Sequence, residues 1–226
     1  MYGDSMKKLV LAVFLFSLCS SIGYGQILVD TTIVNKGLGL GPSLSFSQVG
    51  YEDKDGNSFT IKRKTLGLGL VADLDGTVGL LAQAGYTFDN DIEDTDFKGN
   101  GFMAGIGLNF LMYSGHRLHL LGYGLLNYVS DHFETKNFKQ DFEVMDIHFG
   151  SLLLLQATRM LGVYGGLDLV PYSDGSLGTK VKTTIKRERI ISLKFGLELG
   201  LPKAIVKPEI TLIGEKTVSL MATFLF

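Results

Sequence analysis

The chain has 226 residues, 46% of them hydrophobic, which suits one large domain or one barrel and marks no second core. A formal charge of −2 provides no basic surface for generic nucleic-acid binding. Gly accounts for 29 residues while Pro accounts for 4 and Trp is absent, so the fold needs many small side chains within otherwise apolar runs.

At the start of the chain, Lys7 and Lys8 precede the apolar run Leu9 to Leu18, and small residues follow, ending in Gly23-Tyr24-Gly25. This is the order of a secretory signal peptide. It predicts cleavage after Gly25, with Met6 as the translation start, and it removes residues 1–25 from the fold. A lipoprotein signal at Cys19 is disfavoured because Leu18 is bulky for the position before a lipidated cysteine. Cys19 is the single cysteine, so cleavage leaves no disulfide and no thiol ligand. Loss of Lys7, Lys8 and Asp4 leaves 19 basic against 22 acidic residues, a net −3.

No later segment reaches the roughly 18 consecutive apolar residues of a spanning helix, yet the mean hydropathy is positive. The apolarity is distributed with the strand period of two. Leu38, Leu40, Pro42, Leu44 and Phe46 share one parity against Gly39, Gly41, Ser43, Ser45 and Ser47. Leu66, Leu68, Leu70 and Ala72 repeat this against Gly67, Gly69 and Asp73. Two further runs follow, Val78 to Phe88 against Gly79 to Thr87, and Phe102 to Phe110 against Gly101 to Asn109. The fifth run, near 117–129, is less regular, with Leu121, Tyr123 and Leu125 opposite Gly122 and Gly124. Regular runs return at 145–156, 161–169 and 191–201, a weak one covers 205–213, and the last carries Val218, Leu220, Ala222, Phe224 and Phe226 on one side.

Connection lengths alternate. Long polar stretches, about 51–58, 89–100, 130–143 and 173–188, follow runs one, three, five and seven. Short ones follow runs two, four, six and eight: Asp75-Gly76, Ser114 to His116, Thr158-Arg159 and Pro202-Lys203. The connection near Gly214 to Lys216 is short and breaks the pattern.

Alternation alone fits a soluble barrel as well, with its apolar rows inside. A soluble barrel would show Lys, Glu and Thr on the other parity; here that parity is mostly Gly and Ser, with occasional Asp, His, Lys, Glu and Gln. Small residues suit a narrow interior, and the Leu-rich rows then face acyl chains. The expectation is an all-β chain forming a transmembrane antiparallel up-and-down β-barrel of about ten strands, eight being the alternative count. Long connections on one side and short ones on the other put both ends at the periplasmic face. Residues 26–34 are then a periplasmic segment and 35–226 the barrel.

Phe224-Leu225-Phe226 resembles the C-terminal aromatic signal of bacterial outer-membrane proteins. With the alternating runs, it makes residues 35–226 similar to the small porin-like outer-membrane β-barrel proteins. That resemblance implies export to the bacterial outer membrane, contact with outer-membrane lipid and lipopolysaccharide, and recognition of Phe224 and Phe226 by the barrel-assembly machinery. It implies no cofactor and no nucleic-acid partner, and leaves the oligomeric state open.

The candidate sites lie on the sparse polar positions. Asp146 and His148 share one interior row. Omptin proteases are similar in using an Asp-x-His dyad with a pair of acids at the barrel mouth, for which Asp89 and Asp91 are the matching positions. A carboxylate beside imidazole raises its basicity and fixes its orientation, so a hydrolase is the alternative to a structural hydrogen-bond pair. A hydroxyl nucleophile at Ser151 is excluded, because His148 and Ser151 have opposite parity. Lys194 and Glu198 share a row, as do Lys207 and Glu209, and with Asp146, His148 and Asp168 they predict a charge network across the interior. That network reads as a plug in preference to a narrow pore lining. Lys62, Lys64, Lys182, Lys186, Arg187 and Arg189 are assigned to the outer rim, where lipopolysaccharide phosphates lie. The Asp53 to Asn57 stretch and the acidic 89–96 stretch read as turn chemistry in preference to metal sites. The expected function is a structural or surface-interaction barrel, or a narrow low-conductance pore, without enzymatic chemistry.

Overall fold

The computed structural model describes residues 37–158, 160–179 and 182–226. The expected signal peptide, its cleavage site and the 26–34 segment lie outside the described residues. Among the described residues eleven strands follow one another: β1 Leu38–Asp53, β2 Ser58–Asp73, β3 Val78–Ile92, β4 Lys98–Ser114, β5 Leu118–Glu134, β6 Lys139–Gln156, β7 Leu161–Leu177, β8 Thr183–Arg187, β9 Ile191–Leu201, β10 Ala204–Leu212 and β11 Glu215–Leu225. All pairings are antiparallel, and ten strands close the barrel through the β11–β1 seam, with β8 as an extra element.

The alternation works in the expected direction. On β1 Gly39, Gly41 and the serines are buried while Leu38 and Leu40 are exposed. Leu66 and Leu68 of β2 are 57% and 58% exposed, and Ile106, Phe149, Leu153 and Phe195 stand out in the same belt. Such a continuous apolar surface is tolerable only against hydrocarbon.

β5 is the exception. Here Leu121, Tyr123 and Leu125 point inward, and Gly122 and Gly124 occupy the outer face. A Cβ on Gly122 would lie 2.3 Å from the Phe110 ring and one on Gly124 3.3 Å from the Phe149 ring. Rings from β4 and β6 therefore lie over the glycines and supply the missing hydrocarbon.

The predicted long connections are mostly strand. β1 to β7 are 15 to 18 residues long, against the roughly 9 to 11 that a tilted strand needs to span. The outer turns shrink to 54–57, 93–97 and 135–138. Above the membrane level the polarity inverts. The interior rows become Val49, Tyr51, Ile61, Phe133, Phe142 and Val144, all buried in one cluster, while the outer rows carry Lys62, Lys98, His132, Asp141 and Glu143. A membrane-type barrel thus continues upward as a collar patterned like a water-soluble one.

The short final connection has its explanation in β8. β8 pairs with β7 through Gly175↔Ile185 and with β1 through Tyr51↔Arg187, so the collar closes with eight strands, β1 to β8. Lower down the chain continues from β8 into β9, and the β10–β11 hairpin is wedged between β9 and β1. Its tip must stay tight to sit beneath β8. Both Ile213 (φ 66°) and Gly214 (φ 64°) are left-handed there, a conformation that a β-branched side chain resists. Replacing Ile213 by Asn, which tolerates that region, is expected to stabilise the barrel by about 1 kcal/mol, measured as a shift in its urea unfolding midpoint.

Candidate functional site

The chemistry-bearing side chains converge inside the barrel in three groups. In the collar, Arg63 Nε donates to Asp131 Oδ2 at 2.5 Å. Thr87 Oγ1 and Asn90 Nδ2 donate to the other carboxylate oxygen at 2.6 and 2.9 Å. The Arg63 guanidinium also lies 4.8 Å from the Phe142 ring centroid, which itself meets Tyr51 edge-on at 5.0 Å.

In the second group, Arg187 of β8 reaches down into the barrel. Its Nε and Nη2 lie 2.8 Å from Asp146 Oδ2, and its Nη1 lies 2.7 Å from Glu215 Oε2. Thr217 Oγ1 donates to the remaining Glu215 oxygen at 2.9 Å. His148 is held from the far side: its Nδ1 lies 3.0 Å from Asp168 Oδ2, and Tyr123 donates to Asp168 Oδ1 at 2.6 Å. His148 Nε2 is 3.9 Å from Asp146 Oδ2.

The third group crosses from β9 to β10. Lys194 Nζ lies 3.8 Å from Glu209 Oε1, and Tyr164 donates to Glu209 Oε2 at 3.1 Å. Lys207 Nζ lies 3.8 Å from Glu198 Oε2. The pairs therefore run between strands and not along the rows Lys194/Glu198 and Lys207/Glu209. Beside the charges, Val71, Leu81, Leu121, Leu125, Leu152 and Leu154 form a dry cluster in the lower barrel.

Asp146, His148, Asp168, Lys194, Glu198, Lys207 and Glu209 are all buried inside. The structure does not assemble an Asp-His dyad with two acids. Asp146 is committed to Arg187, and His148 is fully enclosed. Asp89 and Asp91 face outward, ion-paired with Lys64 and Lys98 respectively. Their displacement has a local cause. A bulge between Thr87 and Asn90, with Asp89 at φ 50°, flips the parity of β3, so Asn90 and Ile92 take the interior positions that Asp89 and Asp91 would have held.

Of the basic residues assigned to the outer rim, Arg187 is a correction. It is only 9% exposed and belongs to the interior network, because β8 is wall and not loop, and its alternation turns Arg187 in and Lys186 out. Lys62, Lys64, Lys182 and Lys186 do lie on the outer face, beside Glu93, Asp89, Glu143 and Glu52. In the outer turn the Lys62 ammonium holds the Glu93 carboxyl below the usual range. At the β1–β2 tip the Asn57 side chain and backbone amide do the same for Asp53. Arg189 is exposed, as are Phe224 and Phe226.

Arg63, Asp131 and Glu215 escape a sequence reading. Arg63 sits between two outward lysines, and Asp131 lies within a stretch that reads as loop. The signal that finds them is the continuation of parity past the apolar runs: Arg63 follows Thr65 and Gly67 inward on β2, and Asp131 follows Asn127 and Val129 on β5.

No protein-family model matches the chain, and no curated protein matches it by sequence. Solved structures match by shape. The translocator domain of autotransporter NalP from Neisseria meningitidis superposes with TM-score 0.50 at 10% identity, covering 98% of this chain and 95% of that one. Outer membrane protease OmpT from Escherichia coli gives TM-score 0.52 at 9% identity, over 89% of this chain and 99% of that one. The transport unit of autotransporter AIDA-I from Escherichia coli gives 0.49 at 8%, over 93% and 97%. The NalP domain and OmpT differ in activity, and at such identity they speak for architecture alone. The chain has the fold of the bacterial outer-membrane β-barrels.

Proposed function

We propose that this protein is an integral, non-conducting barrel of the bacterial outer membrane that holds a rigid collar at the cell surface for structural or interaction purposes. The observation that carries this reading is the filled interior. Side chains from the lower cluster (Leu121, Leu152, Leu154), the charged middle (Asp146, His148, Lys194) and the collar (Ile61, Phe133, Phe142) are each no more than 2% exposed. A water-filled conduit would wet at least one of these levels. The outward apolar belt supports the membrane assignment, and the outward Phe224 and Phe226 at the periplasmic end suit recognition by assembly machinery. Lys62 and Lys64 stand just above Leu66 and Leu68, at the height of outer-leaflet head groups, which suits contact with lipopolysaccharide phosphates.

A planar-bilayer recording of the purified protein tests the filled interior. We expect no resolvable single-channel steps in molar KCl. Reproducible steps abolished by bulky substitution at Ser45 would establish the narrow pore instead. The same preparation is expected to hydrolyse peptides no faster than its Asp146→Ala and His148→Ala variants, since neither side chain meets solvent.

A further inference from the structure

The lipid-facing belt is hollow over β9, β10 and β11. Its outward positions shrink there to Pro208 and Ala222, with Pro42 of β1 beside them, while Phe195 on one side and Phe46 and Leu66 on the other stand taller. The result is a trough of about 700 Å³ walled almost wholly by hydrocarbon, the size of a site that encloses a small ligand. On β1 it takes in Pro42 to Phe46 and leaves out Leu38 and Leu40, so it lies in the half of the belt nearer the collar.

Polar side chains stand one outward step above its upper rim. Val218 lines the trough and Lys216 is the next outward residue of β11; Phe46 and Gln48 stand in the same relation on β1, and Leu66 and Lys64 on β2. Lys216 is in register with Gln48. The β1–β2 register, through Pro42↔Leu68 and Gly50↔Thr60, sets Lys62 opposite Gln48 on the other side. Lys216 and Lys62 therefore flank Gln48, about 10 Å apart over two strand spacings. Lys62 and Lys64 are held by Glu93 and Asp89, and Gln48 donates to Glu93. Lys216 is exposed and has no ion-pair partner among the described residues. Glu188, which lies over Gly50 one outward step higher, makes no ion pair with it. A cation is thus left free at the outer end of a hydrocarbon trough.

That combination matches an anionic lipid, head group toward the collar and acyl chains below. A second copy of the chain matches poorly. Two barrels inserted the same way are related by an axis along the membrane normal, and an isologous contact centred here would set trough against trough and Lys216 against Lys216. We infer that this face seats one phosphorylated multi-acyl lipid of the outer leaflet, the lipid A part of lipopolysaccharide, with acyl chains in the trough and a phosphate on Lys216. The inference rests on the lipopolysaccharide contact proposed above and narrows it to one place. Lys62 and Lys64, already matched by carboxylates, border the phosphate, and Lys216 supplies the unmatched charge.

The test is native mass spectrometry of the full barrel, released from nanodiscs and mixed with hexa-acyl lipid A. One retained lipid A per barrel is expected, held at least tenfold more tightly than its dephosphorylated form or phosphatidylglycerol. Lys216→Gln is expected to weaken retention about fivefold, the size of one exposed ion pair. Ala222→Phe, which fills the trough and keeps the surface apolar, is expected to weaken it at least tenfold, and Leu153→Phe on β6 of the same belt to leave it unchanged. Retention that Lys216→Gln and Ala222→Phe both leave intact overturns the seat while the wider lipopolysaccharide contact stands. No retention by the unaltered barrel overturns both. Equal retention of phosphatidylglycerol overturns the inference in favour of any phospholipid, and a dimer that Ala222→Phe dissolves overturns it in favour of a second copy. If Ala222→Phe fails to fold, Lys216→Gln and the dephosphorylated lipid on the unaltered protein decide.

Discussion

Arg187→Ala is expected to destabilise the barrel by about 3–5 kcal/mol, the cost of leaving buried charge without its partner. Arg187 ties β8, β6 and β11 together, through Asp146 and Glu215. Its removal strands two carboxylates in a space that solvent does not reach. Unfolding by urea in lipid vesicles, followed by the loss of compact mobility on gels, reads the effect. Neutralising all three positions, as Arg187→Met with Asp146→Asn and Glu215→Gln, is expected to recover most of the loss, because a buried ion cluster contributes little net stability over neutral groups. A cost below about 1 kcal/mol for Arg187→Ala, the size seen for exposed ion pairs, would mean that water fills the middle of the barrel.

Leu108→Arg should cost about 2–4 kcal/mol, the range for a cation on the lipid-facing side near the bilayer midplane. Leu108 is 48% exposed on β4, between the similarly exposed Ile106 and Phe110. The matched control is Ser130→Arg on the outer face of the collar strand β5, for which a change within about 0.5 kcal/mol is expected, as for ordinary surface positions. The contrast between the two reports where hydrocarbon ends, since both side chains leave the barrel outward and differ in height.

Much of the fold is legible because lipid imposes a simple rule, that one parity of each spanning strand must be hydrocarbon. β1, β2, β4, β9 and β11 obey it with Leu, Val and Phe against Gly, Ser and Thr, and their facing follows directly. β5 hides its facing because Phe110 and Phe149, on neighbouring strands, cover Gly122 and Gly124. Cross-strand coverage of this kind leaves no mark on the sequence of β5 itself. The collar is hidden for a different reason. Above the bilayer the apolar parity moves inside, so a search for one constant greasy row ends at the membrane boundary and reads the rest as loop. The interior charges at Lys194, Glu198, Lys207, Glu209 and Asp168 are legible as isolated polar residues on the small-residue parity. Their actual pairing depends on the β9–β10 register, which a sequence does not specify. Asp89 and Asp91 defeat a parity reading through a one-residue bulge, which reverses every later side chain on its strand. Arg187 escapes because a five-residue strand between two barrel walls has no periodic run long enough to detect.

Which face of the sheet touches lipid is decided most directly by depth-resolved quenching. Residues after Cys19 include no cysteine, so single cysteines at Leu68, Leu108 and Phe195, and at interior Ser45 and Thr217, can each carry a small fluorophore in vesicles of brominated phospholipid. Strong quenching at the three outward positions and weak quenching at the two interior ones is the predicted result. The reverse pattern, or a monodisperse detergent-free protein that shields all three outward labels, would contradict the membrane-facing belt on which the account depends.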